Sequence, residues 1–205
     1  MLKHKKICLA VLAGVFIIVA LAIFIPKQLH DQASAEVSSS QTKRQVKKNN
    51  AAVKTAAKRP KDFWQRPSES KPYPDLTRYP NVNIDVSIPK QRVYIKDGKK
   101  TLYTMLASTG KDDGTPKGHF NIQHERGLQF FNQGSQEGAK FWVSFKDHGI
   151  YLFHSVPING QGDFDVKQAE SLGGEANSHG CIRLSVADAK WFFENVKEDT
   201  PVYIH

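Results

Sequence analysis

The sequence predicts a mainly β domain, sandwich- or barrel-like, with one helix near its C-terminus. It stands behind an N-terminal transmembrane helix and a polar linker. Three observations carry this expectation. Residues 7–25 form an apolar run without a charge. A polar stretch rich in Lys, Ser, Gln, Asn and Pro follows it. From Asn81 onward, short segments alternate apolar and polar residues between Gly and Pro turns, the period of strands with one buried face.

The run ICLAVLAGVFIIVALAIFI, Ile7 to Ile25, would span roughly 28 Å as a helix, close to the hydrocarbon thickness of a bilayer. Lys3, Lys5 and Lys6 precede it, which predicts a cytoplasmic N-terminus and an outward-facing remainder. A cleaved signal peptide is the alternative, with Ala33-Ser34-Ala35 as an A-x-A-like site. That site lies far beyond the run, and the run exceeds a signal core of about 7–15 residues. Either way the rest is exported. The expectation is a single-pass protein of the cell membrane: anchor 1–26, linker 27–80, and an extracellular, wall-facing domain at 81–205. The linker, with VKKNNAAVKTAAKRPK and RPSESKPYP, buries too little apolar surface to offset ordering entropy and is expected to be disordered.

Charge divides at the same place. Residues 1–80 carry 15 Lys+Arg against 5 Asp+Glu, and residues 81–205 carry 14 against 15. The net charge of +9 therefore belongs to the N-terminal part, where it suits anionic lipid headgroups or wall polymers. A near-neutral domain on an exported chain argues against nucleic acid as a partner. Cys8 lies in the apolar run and Cys181 in the outer domain, so no structural disulfide is expected and Cys181 is left as a lone thiol.

Within the domain, VNIDVSI (82–88) and QRVYIK (91–96) alternate around a Pro89-Lys90 turn, and Asp97-Gly98 signals a hairpin into TLYTMLAST (101–109). GHFNIQ, FWVSF and GIYLFH are further strands. SVADAKWFFENV, Ser185 to Val196, reads as the helix: Ser185 caps it, Asp188 sits three residues on, and Ala189, Phe192, Phe193 and Val196 form its apolar face. After Thr200-Pro201 a last strand covers 202–204. About 125 residues suffice for one core without disulfides.

The chemistry centres on SHGCIRLS, Ser178 to Ser185. A thiol becomes a nucleophile beside a base or a positive charge. His179 is two residues from Cys181 and, in extended chain, would share its side; His154 ends GIYLFH. The residues alone do not choose between them. Gly180 adds no bulk, and N–H groups around Gly180 and Cys181 are candidates to face an oxyanion. The plainer readings are a buried structural thiol or, with only three ligands and no C-x-x-C pair, a zinc site. His119, His124 and His148 read as ordinary polar residues. Trp142 and Tyr151 read as core or as cleft lining.

Several blocks together resemble one family. IDVSIPKQRVYIKDGK, STGKDDGTPKGHFNI (108–122), the His of YLFHS, SHGCIRLS with its following helix, and the TPVYI ending are similar to the L,D-transpeptidase catalytic domain, the YkuD-like family of peptidoglycan cross-linking enzymes. The resemblance runs from about Val82 to Ile204 and implies that family's fold. It implies Cys181 as nucleophile and His154 as the base that later acts as acid. It implies Ser155 orienting the imidazole through its backbone carbonyl, and Ser178, His179 and Gly180 shaping the nucleophile's loop. Arg183 would hold a substrate carboxylate or brace the loop.

The implied reaction needs no cofactor and no metal. The thiolate attacks a stem tetrapeptide at the bond between its third residue and the terminal D-Ala, and a neighbouring stem's amine resolves the thioester into a 3→3 cross-link. Stem peptides are the implied partners and carbapenem-type β-lactams the implied covalent inhibitors. An L,D-carboxypeptidase or endopeptidase giving the same acyl-enzyme to water, and a non-catalytic wall-binding module, are the alternatives. One departure stands out: 23 residues separate His154 from Ser178, more than is usual in the family. The extra segment INGQGDFDVKQAESLGGEAN, 158–177, is expected to form a loop or lid over the cleft.

Overall fold

The computed structural model describes residues 59–205. The apolar run at 7–25, Cys8 and the linker up to residue 58 lie outside them. No helix among the described residues is long and apolar enough to cross a membrane.

Strand β1 (Val82–Ser87) pairs antiparallel with β2 (Arg92–Asp97), and β2 with β3 (Lys100–Ser108). Gly98 turns the second hairpin at φ +54°, a backbone region that side chains other than glycine's rarely adopt. The later strands are β4 (Gly118–Asn121), β5 (Arg126–Asn132), β6 (Glu137–Lys146), β7 (Tyr151–Ser155), β8 (Ile182–Leu184) and β9 (Pro201–Ile204). They form one nine-stranded sheet in the order β4-β9-β1-β2-β3-β8-β7-β6-β5. Only β1–β9 and β7–β8 are parallel pairs.

The sheet is curled, because side chains from both its ends enter one core. Ile84, Val86, Val93 and Ile95 of β1 and β2 meet Val143, Phe145 and Phe153 of β6 and β7 there. Helix α2 (Val186–Asn195) closes this core, with Phe192 stacked on Phe153 at 4.6 Å between centroids. Ser185 caps it by accepting from the Asp188 N–H.

Three expectations change. The fold is mainly β, but one curled sheet replaces stacked layers. A second, short helix α1 (Val166–Ala169) is present. Residues 59–80, expected to be disordered linker, instead form a strap on the domain. Strand β8 covers β3 only at Ala107 and Ser108, so backbone donors earlier in β3 need partners. The Leu106 N–H donates to Ser68 Oγ at 2.8 Å and the Thr104 N–H to a Glu69 carboxylate oxygen at 3.0 Å. Trp64 is buried with Val156, Ala169 and Leu172, and Tyr73 stacks on Trp191 at 5.0 Å.

Candidate active site

Strand alternation places the reactive residues. In β7, Phe153 goes to the core, so His154 goes to the opposite side; in β8, Ile182 and Leu184 are in the core, so Arg183 is opposite. His154 and Arg183 are register partners across the parallel pair. Cys181 lies in the bend just before β8. All three line a cleft of about 460 Å³ together with Phe130, Trp142 and Tyr151. Phe130 meets the His154 ring edge-on at 5.9 Å.

The STGKDDGTPKG block forms the bed of the nucleophile's loop. The Asn177 and Ser178 N–H groups donate to Thr109 O at 2.9 Å, and Lys111 N–H to Ser178 O at 3.0 Å. Thr115 Oγ1 donates to Gly180 O at 2.9 Å. A Cβ on Gly110 would sit 2.8 Å from the Gly180 Cα, and one on Gly180 would sit 2.8 Å from Gly114 O. Both positions need glycine for this approach, and Gly180 also has φ +138°.

Ser178 is buried and closes the loop: its Oγ accepts from Gly180 N–H at 3.0 Å and donates to Cys181 O at 2.6 Å. The Gly180 N–H, one of the expected oxyanion donors, is engaged by this hydroxyl. His179 lies at the cleft mouth, 66% exposed, with Nδ1 3.6 Å from Glu137 Oε2. The thiol of Cys181 is partly exposed and donates to Ile150 O at 3.6 Å.

His154 is buried, and its Nδ1 lies 2.6 Å from Ser155 O. A carbonyl only accepts, so Nδ1 carries the proton and Nε2 is the basic nitrogen of the neutral ring. Burial, aided by the Arg183 charge and opposed by the Ser155 bond, pushes the imidazole down to about 4. The Cys181 thiol is pushed up by burial, against the pull of the Leu152 backbone bond and of Arg183. At neutral pH the cleft therefore holds a thiol and a neutral imidazole rather than a preformed ion pair.

Arg183 is 2% exposed. It donates to Asn177 O at 2.9 Å and to Glu137 Oε2 at 3.3 Å, the geometry of a brace rather than of a free carboxylate clamp. Glu137, at the start of β6, was not legible in the sequence: its strand signal is weak and its partners are 31 to 46 residues away. The 158–177 segment is no lid. Ile158 exchanges both backbone hydrogen bonds with Gly138, Gly173 N–H donates to Ala107 O at 2.7 Å, and Ala169 and Leu172 are buried. It is tied to β6 and β3 by these bonds. Among the described residues no group of three or more His, Cys, Asp or Glu is placed to hold a metal ion.

A family model described as the YkuD L,D-transpeptidase catalytic domain matches residues 81–204. The chain belongs to this family. A Bacillus subtilis (strain 168) relative, YciB, whose name assigns it provisionally to the L,D-transpeptidases, is 45% identical over 93% of this chain and 98% of its own. Among solved structures, L,D-transpeptidase LdtMt1 in complex with imipenem matches with a TM-score of 0.51 and 23% identity, over 61% of this chain and 59% of that one. An L,D-transpeptidase from Mycobacterium smegmatis matches with a TM-score of 0.49 and 24% identity, over 61% of this chain and 58% of that one. The chain spans less than two thirds of each of these solved structures, and its likeness to LdtMt1 is one of fold.

Proposed function

We propose that the protein is a peptidoglycan L,D-transpeptidase that forms 3→3 cross-links through a cysteine acyl-enzyme. The observation that carries this is the His154 tautomer. Its Nδ1–H is held by Ser155 O, which leaves Nε2 as the base in the cleft that exposes the Cys181 thiol. Family membership supports the same reading.

In the first half-reaction Nε2 of His154 takes the thiol proton while sulfur adds to the carbonyl of the donor stem's third residue. The tetrahedral intermediate collapses, the C–N bond to D-Ala breaks, and the imidazolium returns the proton to the leaving amine. A thioester remains on Cys181. The acceptor amine then adds to it and gives a proton to His154, which passes it to the departing thiolate. The Ile7–Ile25 run anchors the chain with this domain facing the wall, a reading that rests on its length and on the lysines before it.

The test is mass spectrometry of the full-length protein incubated with a disaccharide-tetrapeptide and an acceptor amine. Cross-linked dimer that loses one D-Ala per link, absent with Cys181→Ala, is the expected product. Tripeptide alone at saturating acceptor would identify a hydrolase, and unchanged substrate would identify a binding module.

A further inference from the structure

Three side chains meet at Glu137. Its Oε2 is 3.3 Å from the Arg183 guanidinium and 3.6 Å from His179 Nδ1. Its Oε1 accepts from Gln168 Nε2, on α1 of the 158–177 segment. Arg183 is fixed by the same segment at its other end, through Asn177 O, while its buried Nε has no partner among the described residues. This guanidinium lies on the side of the sheet that carries Cys181 and His154. A buried cation there favours thiolate over thiol and neutral imidazole over imidazolium. Glu137 is the carboxylate paired directly with it.

We propose that Glu137 is a positioning residue: through its ion pair with Arg183 it sets how strongly that buried cation acts on Cys181 and His154, and through Gln168 it makes the 158–177 segment part of the nucleophile's support. The role in transfer rests on Cys181 being the nucleophile of the proposed reaction; the effect on the thiol itself does not. The other charged or titratable groups around the pair are His179 at the cleft mouth, Tyr151 in its lining and Asp165 at the cap of α1, whose charge also reaches Arg183. None of them is hydrogen-bonded to the guanidinium.

The experiment is alkylation of the full-length protein by iodoacetamide across pH, with the Cys181 peptide quantified by mass spectrometry so that Cys8 does not interfere. Alkylation follows the thiolate fraction. Glu137→Gln keeps the shape and removes the charge. Its midpoint should move to lower pH by at least about half a unit, a roughly threefold gain in rate on the acid side. Transfer to an acceptor at neutral pH should fall, because the same change makes His154 a weaker base. A merely structural role would slow alkylation at every pH and leave the midpoint in place. Gln168→Lys is the second variant: it brings a cation to Oε1 from a half-buried position on α1, draws the carboxylate from Arg183, and should move the midpoint the same way. A folded variant of either kind with the wild-type midpoint would overturn the proposal. A shifted midpoint in a protein with no transfer activity would sustain it and count against the transpeptidase reading instead.

Discussion

At Gly180 the backbone conformation and the contacts act together. Its φ of +138° is open only to glycine without strain, and an added Cβ would lie 2.8 Å from Gly114 O and 3.0 Å from the Tyr151 ring. Gly180→Ala should therefore cost about 1–3 kcal/mol in strain alone and move the neighbouring thiol. Urea denaturation and carbapenem trapping of Cys181, read by intact mass, would show both effects; wild-type values in both would mean that the loop tolerates a side chain. The His154 base imposes a further expectation. Its neutral form persists down to about pH 4, so carbapenem acylation should not lose its base between pH 6.5 and 5, as it would with an ordinary histidine. Where thiol and imidazole exchange the proton in the proposed step, the measured limb belongs to both. A fall in acylation centred near pH 6.5 would contradict the burial argument.

Among the elements, α2 was legible to its ends because its signals are local: Ser185 as cap, Asp188 at the third position and an apolar face. The hairpins at β1–β3 were legible for the same reason. What sequence reasoning missed depends on distant partners. The strap is polar and Pro-rich, so its order arises only from β3 donors that β8 leaves uncovered and from pockets for Trp64 and Tyr73. Strand β5 has Phe130 and Phe131 adjacent and no clean alternation. At the site, Cys181, His154 and Ser178 were legible through the family motif, whereas Glu137 has meaning only through long-range contacts. Trp64→Ala tests the strap. Loss of a buried indole should reduce stability by about 3–5 kcal/mol, against about 1 kcal/mol for Ser185→Ala at the helix cap. Equal and small losses in urea melts would mean that the strap is an accessory.

For the whole molecule, the burial that tunes His154 also makes its stability depend on pH. The folded imidazole titrates near 4 and an unfolded histidine near 6.5. Between those values the unfolded chain binds more protons, so stability falls as pH drops from 6.5 toward 4 and is fully present above 6.5. Integrated to pH 4.5, this one group removes about 2 kcal/mol. Asp188 works the other way: burial raises its carboxyl, so the folded state holds that proton more tightly and gains stability as pH falls through its folded value. Exposed carboxylates such as Asp75, lowered by hydrogen bonds to Thr77, add to the acid loss. A comparison with His154→Gln isolates the histidine, since Asp188 and the surface carboxylates are common to both proteins. The variant can be the less stable of the two at pH 7, where the bond to Ser155 O is intact in wild type. On acidification from pH 7 to 4.5, wild type should lose about 2 kcal/mol more than the variant does in urea melts. Parallel losses in the two proteins would show that His154 titrates near its ordinary value in the folded state, and the argument that burial holds its imidazole neutral well below pH 6.5 would have to be abandoned.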